Sequence, residues 1–510
     1  MNKSKKSIYI ALSSVSLTLI NGLLGLFVTR LIIINYGSDF NGLNSTVNQF
    51  INMLLIIEGG FTLATSVALF KPLGEKNHKM VNAIMTATRK TFFKIGLFFL
   101  LFGFLGSIIY TKLINSDLPW EIVFFTFLMT VVSTAFNLLY ATKYRILLQT
   151  EQREYIINII NIGTLILSQI LIVIIIFYNG HMLLVRFITM VASIINSLII
   201  GYISKKNYKY INFSAEPNFM AIKGTKDLFI QKFTGMLYSS VPIIYISATV
   251  GTMYASVYAV YNSIFALIKS LIYSLVNAPR MGLGQLIAEK EERYILKIFY
   301  QYEFVVVNVT LCLLSTGAVL IIPFIDLYTK GITDIEYENW YIAIILIATV
   351  FFEIIHIPSG NLINMSGNFN VGRKIQTFAS IVLIILMFIG NMTFSFYGIL
   401  GAVLITSILL AILEIGYVHK IYFKSNAVPG FLRIVIPNLI LSIILVSIEI
   451  ILLPEINGYV KFFLVGFIVL VINGMLMVLF NLIINKSLTI EIYNRVSVLT
   501  HNKLQRNTSN

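Results

Sequence analysis

The sequence predicts an all-α membrane protein of about fourteen transmembrane helices, arranged as two six-helix lobes in a parallel pseudo-repeat with two extra C-terminal helices. Three observations carry that prediction. Of 510 residues, 57% are hydrophobic and 12% charged, where a soluble chain carries about a quarter charged residues. Apolar runs long enough to cross a hydrocarbon core of ~30 Å recur along nearly the whole length. Lys and Arg are concentrated in alternate connections between those runs. A transmembrane barrel would instead alternate polar and apolar residues in segments of roughly ten, a pattern absent here.

The runs place spans at residues 8–35, 42–69, 92–110, 120–141, 156–178, 182–203, 228–249, 252–278, 299–325, 339–362, 375–395, 397–418, 432–453 and 458–484. The first follows Lys3-Ser4-Lys5-Lys6 and continues to about Ile34 without a small-residue cleavage site, so it reads as a retained span. An even number of spans puts both termini on one side. Loops of the opposite side hold three basic residues, Lys112, Lys330 and Lys461, whereas the termini and even-numbered connections, counted with the adjoining span ends, hold 31 of the 37 Lys and Arg. The positive-inside rule therefore puts both termini in the cytoplasm. The net charge of +15 is mostly this topology signal plus attraction to anionic lipid, with no nucleic acid implied. The single cysteine, Cys312, excludes an internal disulfide.

A shift of 214 residues aligns Gly37 with Gly251, Asn48 with Asn262, Ala64 with Ala278 and Glu75-Lys76 with Glu289-Lys290. Spans one to six then correspond to seven to twelve in the same orientation, a parallel repeat as in several transporter folds. The expected organisation is a six-helix lobe at 1–204, a basic cytoplasmic linker with Pro217 at 205–226, and a second lobe at 227–425. An extra pair follows at 426–484, then a polar tail at 485–510 with a weakly amphipathic piece around Leu488–Leu499.

Charges inside spans are the candidates for chemistry, because each costs several kcal/mol and normally faces protein interior or a water-filled path. Arg30, Arg186 and Lys269 are the cations so placed. Arg30 and Arg186 lie near span ends, so each either snorkels to the surface or aims a guanidinium fork at a phosphate. Lys269 shares a helix face with Tyr258, Asn262 and Tyr273, all within about 60° of one another. That stripe suits an anion and stacked sugar rings; the alternative is a buried contact in which Lys269 pairs with a carboxylate such as Glu58. Glu58, ahead of a bend expected at Gly59-Gly60, either neutralises a cation or binds a coupling Na⁺ or proton. Glu353 and His356, three apart with Pro358 just beyond, form a satisfied polar pair or a proton relay; a metal site is disfavoured because no second such pair occurs. Glu414 and Glu449 have no evident partner in the sequence. No G-x-x-x-x-G-K-[ST], G-x-S-x-G or H-E-x-x-H occurs, and short outer loops leave little room for catalytic residues, so no enzyme and no resident cofactor is expected.

Arg30-Leu31, Tyr36-Gly37, Gly42-Leu43, Leu54-Leu55, Glu58-Gly59-Gly60 and Leu69-Phe70-Lys71-Pro72-Leu73 resemble the opening of Wzx-type polysaccharide flippases. These belong to the multidrug/oligosaccharidyl-lipid/polysaccharide exporter superfamily, with the drug/cation (MATE) antiporters and the lipid II flippase. The resemblance covers roughly the first hundred residues in motif and the remainder in span count and repeat. It implies an inverted V of two lobes with alternating access, and a cargo of undecaprenyl-pyrophosphate-linked oligosaccharide for capsule or another surface polysaccharide. Arg30, Asn48, Arg186, Tyr258, Asn262, Lys269 and Tyr273 are the expected cargo-facing residues. Glu58, Glu353 and His356 are the expected ion-coupling or charge-pairing residues. One departure stands out: the position aligned with Arg30 in the second lobe is Ile244, so Lys269 is left to substitute in any symmetric phosphate clamp. The expected partners are the lipid-linked cargo, the bilayer, and a polysaccharide polymerase with its chain-length machinery. A drug/cation antiporter, and from another class a membrane-embedded glycan polymerase or acyltransferase, are the alternatives.

Overall fold

A computed structural model of the chain describes residues 3–222, 226–277, 287, 292–424 and 428–494. Among the described residues every regular element is helical. Helix α1, Lys3–Leu54, serves two spans because it turns sharply at Gly37, where φ is 87° and ψ 162°. Such a turn suits glycine, which has no Cβ to clash at positive φ. The turn is capped from outside: Asp334 accepts hydrogen bonds from the Ser38 amide (2.6 Å) and hydroxyl (2.8 Å). Next to it, Asp39 accepts from the Ser116 hydroxyl and the Asp117 amide, both at 2.9 Å.

The second span continues as α2, Ile56–Gly74. Its break from α1 falls at Leu55, ahead of the bend expected at Gly59-Gly60. The consequence is electrostatic: Glu58 sits in the first turn of α2, where unsatisfied amides favour a carboxylate. Helices α3 (His78–Leu113) and α4 (Trp120–Phe136) follow, each longer or less regular than its apolar run. Asn77 caps α3 by accepting from the Met80 amide (3.1 Å). Through a π-turn at Asn137–Ala141, α4 leads into α5, Thr142–Thr150. The fourth span thus runs to Thr150 rather than residue 141, which brings Lys143 and Arg145 onto a membrane-spanning helix. Helices α6 (Glu154–Phe177) and α7 (Met182–Asn207) complete the first six spans.

The chain continues with α8 (Lys226–Thr249), α9 (Thr252–Asn277) and α10 (Glu292–Thr329). Span ten is α11 (Trp340–Ile355) followed by α12 (Ile357–Met365), broken at His356 with Pro358 in the first turn of the new helix, where its missing amide costs nothing. Helix α13, Phe369–Gly416, holds two spans joined at Ser395 (φ 49°, ψ −126°). Helices α14 (Val428–Leu452) and α15 (Tyr459–Ile484) are the extra pair, and residues 486–494 are helical again. Among the described residues eleven stretches are long and apolar enough to cross a membrane; separating those joined at Gly37 and Ser395 and counting α8 gives fourteen spans.

Two compact units divide the chain: Met1–Ser263 with Gly331–Ile335 and Phe394–Phe396, and Ile264–Lys330 with Glu336–Thr393 and Tyr397–Asn510. The border falls inside α9, whereas the chain repeat places the division in the linker at 205–226. Packing explains the difference, because α8 and the start of α9 are bonded to the second half of α1. Asn41 donates to Ser256 (2.7 Å) and Ser240 to Gln49 (3.1 Å). A Cβ on Gly42 would lie 1.7 Å from the Thr252 carbonyl oxygen, so only glycine permits the approach. One pair that the repeat aligns shares a backbone feature: Gly37 and Gly251 both have positive φ (87° and 131°). The partners assigned to Ala64 and Glu75-Lys76, namely Ala278 and Glu289-Lys290, lie outside the described residues. So do 280–286 and 495–510, and with them the end of the expected amphipathic piece.

The first unit is packed around Phe40, Leu43, Val47, Leu69, Ile84 and Phe127, all essentially inaccessible. In the second, α14 and α15 pack on α10 through a polar seam. Asn481 donates to Asn308 on α10 (2.8 Å) and Asn438 on α14 (2.7 Å), and Asn473 donates to Thr316 (3.2 Å). Without a hydrophobic force between helices in lipid, such amide contacts supply much of the specificity of association. The outer faces of the pair expose Ile440, Ile444, Phe463, Phe467 and Ile468.

Candidate functional site

The polar side chains buried within the spans gather in clusters, each lying within one unit. In the first unit, α7 begins at Met182, capped by His181, whose ring nitrogen accepts from the Leu183 amide (3.3 Å). One turn in, Arg186 is 8% exposed, which answers the snorkelling alternative: the guanidinium turns inward. It donates through Nε to the Asn44 side chain, through one terminal nitrogen to the Asn44 carbonyl (2.8 Å), and through the other to Asn48 (3.2 Å). Those partners are neutral oxygens on the second half of α1. A cation taken out of water without a carboxylate is costly, which is the electrostatic condition for attracting an anion.

A second cluster in this unit centres on Arg145. Arg145 on α5 lies within electrostatic range of Glu58 on α2 and donates to Asn196 (2.5 Å), which in turn donates to Asn161 (3.0 Å) and Thr164 (2.8 Å). The structure thus brings within electrostatic range of Glu58 an arginine that sequence reading assigned to a loop. Arg30 lies on the first half of α1, partly buried. Tyr258 is buried and Asn262 half-buried, both on the part of α9 that belongs to the first unit.

In the second unit Lys269 on α9 donates to Glu353 on α11 at 3.2 Å, with each side chain about one-fifth exposed (20% and 18%). Tyr273, one turn further along α9, lies in the field of the same carboxylate. His356, at the break before α12, bonds Glu414 on α13 at 2.8 Å through Nδ1. Glu353 and His356 share a helix face in sequence but take different partners, because the helix breaks between them. Space for Glu414 comes from Gly360, where a Cβ would lie 2.8 Å from the carboxylate. Glu449 accepts from Asn473 (3.2 Å).

Sequence reading missed a fully buried pair, His419 and Glu303, joined at 2.8 Å, along with Asn44, Asn196 and the asparagine seam. The signal available was the asparagines that interrupt otherwise apolar runs, at Asn44, Asn48, Asn438, Asn473 and Asn481. Among the described residues no group of three His, Cys, Asp or Glu gathers in a metal-ligating arrangement.

No protein-family model matches the chain, and no curated protein matches it by sequence. Solved structures do match. A lipid II flippase MurJ in its inward closed conformation superposes with a TM-score of 0.70 at 16% identity, covering 94% of this chain and 99% of its own. An inward-facing multidrug resistance MATE transporter of the MOP superfamily gives 0.62 at 12% identity, covering 81% and 98%. The D35N mutant of the Vibrio cholerae MATE transporter VcmN gives 0.53 at 13% identity, covering 82% and 98%. The chain is a multi-pass membrane protein with the helical fold these flippase and transporter structures share.

Proposed function

We propose that the protein is a flippase that moves an undecaprenyl-pyrophosphate-linked oligosaccharide from the inner to the outer leaflet of a bacterial plasma membrane, for capsule or another surface polysaccharide. Both termini are cytoplasmic in this reading, as the distribution of Lys and Arg directs. The observation that carries it is the likeness to a lipid II flippase along 94% of the chain, against 81% for the MATE transporter. A lipid-borne cargo needs purchase for a long prenyl chain as well as a charged head, and α14–α15 are the surplus helices that can provide it. The head is anionic, and Arg186, buried on neutral partners, is the cation equipped to attract it. Lys269 and Arg30 are the further cations, with Asn48, Tyr258, Asn262 and Tyr273 for the sugars. The drive is Na⁺, protons or the membrane potential, and for the first two Glu58, Glu353 and His356 are the groups able to exchange the ion. Export then hands single repeat units to a polymerase and its chain-length machinery. The neighbours are transporters rather than enzymes, and the chemistry proposed here forms and breaks no covalent bond.

The test is mass spectrometry of lipid-linked intermediates in cells depleted of this protein while the glycosyltransferases still act. Accumulation of an undecaprenyl-pyrophosphate oligosaccharide inside the cell supports the flippase. Unpolymerised repeat units reaching the outer leaflet transfer the role to a polymerase. Unchanged intermediates with new sensitivity to cationic drugs favour a drug/cation antiporter, the second reading, which the MATE fold, the half-buried carboxylate of Glu353 and the buried one of Glu414 support.

A further inference from the structure

A cavity of about 460 Å³ lies in the first unit, where α3, the π-turn with α5, the last turn of α7 and the loop after α7 converge. It is separate from the Arg186 and Arg145 clusters and shares no residue with them. Four cations line it: Arg89, Lys143, Lys205 and Lys209. Arg89 and Lys205 lie within electrostatic range of Lys143, and no carboxylate is among the lining residues. A carboxylate bonded to the wall, Glu151, accepts from the Tyr208 hydroxyl (3.0 Å) and is paired with Arg153 (3.4 Å), so the four lining cations still repel one another and the arrangement gains by taking up an anion.

The cavity is built rather than incidental. Lys143 is buried, and its ammonium folds back onto the carbonyls of Leu139 (3.3 Å) and Tyr140 (2.7 Å), which leaves its remaining N–H to donate. Those carbonyls belong to the π-turn, a helix irregularity found frequently at functional sites. Aromatic rings hold the cations in place: Lys143 lies 4.9 Å from the Tyr144 ring, Lys205 5.5 Å from Tyr140, and Arg89 5.3 Å from Phe213. Tyr140 reaches its position because Gly201 has no side chain; a Cβ there would meet the ring at 2.3 Å. Finally, Ser204 is fully buried in the wall, and its hydroxyl has no hydrogen-bond partner. A buried hydroxyl left unpaired is costly, and an oxygen-bearing ligand would satisfy it.

We propose that this cavity binds a phosphate ester: Lys143, Lys205 and Arg89 take the phosphate oxygens, Ser204 donates to one of them, and the tyrosine rings flank whatever the phosphate carries. The volume falls in the range of small-ligand sites and accommodates a phosphate with one polar head group. Two sources supply that chemistry, the phosphodiester of a membrane lipid or a soluble phosphate. Neither depends on the proposed transport.

The experiment measures binding to the purified full-length protein. Native mass spectrometry in neutral detergent with added phosphatidylglycerol reads the lipid source, and calorimetry with glycerol 3-phosphate, a soluble phosphate monoester, reads the soluble one. The variants are Lys205→Gln with Lys209→Gln, two exposed positions that need not disturb folding, with exposed Lys206→Gln outside the cavity as a charge control. The double variant is expected to weaken whichever ligand binds by about tenfold or more, as loss of charge-assisted contacts does, and the control to leave it unchanged. Ser204→Ala is expected to weaken the same ligand severalfold. Equal weakening by Lys206→Gln would reduce the effect to general surface charge and overturn the proposal. So would unchanged binding of both ligands in the double variant, or no binding of either by the unaltered protein.

Discussion

At the scale of single residues, Arg186 tests the anion reading most sharply. Arg186→Ala strands the amide groups of Asn44 and Asn48, and its thermal stability should fall by about 1–3 kcal/mol for unsatisfied buried partners. Arg186→Gln keeps donors facing Asn44 but removes the charge. It should melt near the unaltered protein while export is lost, measured as surface polysaccharide at matched protein levels. Export by Arg186→Gln at the normal rate would reduce the residue to a helix staple. Lys269 behaves differently because Glu353 already neutralises it. Lys269→Ala should impair export, and Glu353→Gln added to it should restore stability, since the double change leaves no lone charge buried. Both cations were legible in the sequence, as was the anomaly of Glu58. Their partners were not. Asn44 and Arg186 are 142 positions apart, and Lys269 and Glu353 84, so only packing brings them together. Arg145 was hidden for another reason: the apolar run ends near residue 141 while the helix continues to Thr150, and hydropathy marks where lipid ends rather than where a helix does.

At the scale of elements, close approaches decide which helices can touch. Gly42→Val should detach α1 from the start of α9, with a loss of about 1–3 kcal/mol or failure to accumulate, because the Thr252 carbonyl occupies the space a side chain needs. Gly25→Ala, where nothing lies within 4 Å, is the matched control and should be neutral on a melting curve. The asparagine seam gives a second test. Asn481→Leu removes bonds to Asn308 and Asn438 at once; at roughly 0.6–2 kcal/mol for each interhelical bond, α14–α15 should become protease-sensitive before the other helices. The helices themselves were readable from periodicity and apolar length. Their irregularities were readable where chemistry announces them, as with Gly37 and Pro358, and unreadable at Leu55 and in the π-turn at Asn137–Ala141, where no residue type marks the break.

At the scale of the whole molecule, the asymmetry of Lys and Arg makes a prediction about sidedness. Epitopes inserted at 206–207 should be reached by antibody only after the membrane is opened, and epitopes at 331–332 in intact cells; the reverse result would invert the topology. The fourteen spans and the repeat could be read from one sequence because hydropathy and orientation are written locally. The grouping into units could not, since it depends on whether α8 packs with its predecessors or its successors. The fold also explains why likeness to solved structures survives at 16% identity: a lipid-facing position needs only to be apolar, so most of the sequence is free to drift.

The asparagine seam carries one more property. Cys312, the sole thiol of the chain, points from α10 toward the Leu470 carbonyl on α15, 4.0 Å away. Its neighbour across the seam is Gly474, which leaves nothing but packing to shield the sulfur. The unaltered protein therefore holds a built-in reporter. While the pair stays seated, a membrane-permeant maleimide should react slowly; if any step of the proposed transport cycle peels α15 away, alkylation should quicken in proportion to the time spent open. A single native atom can thus act as the clock for that movement.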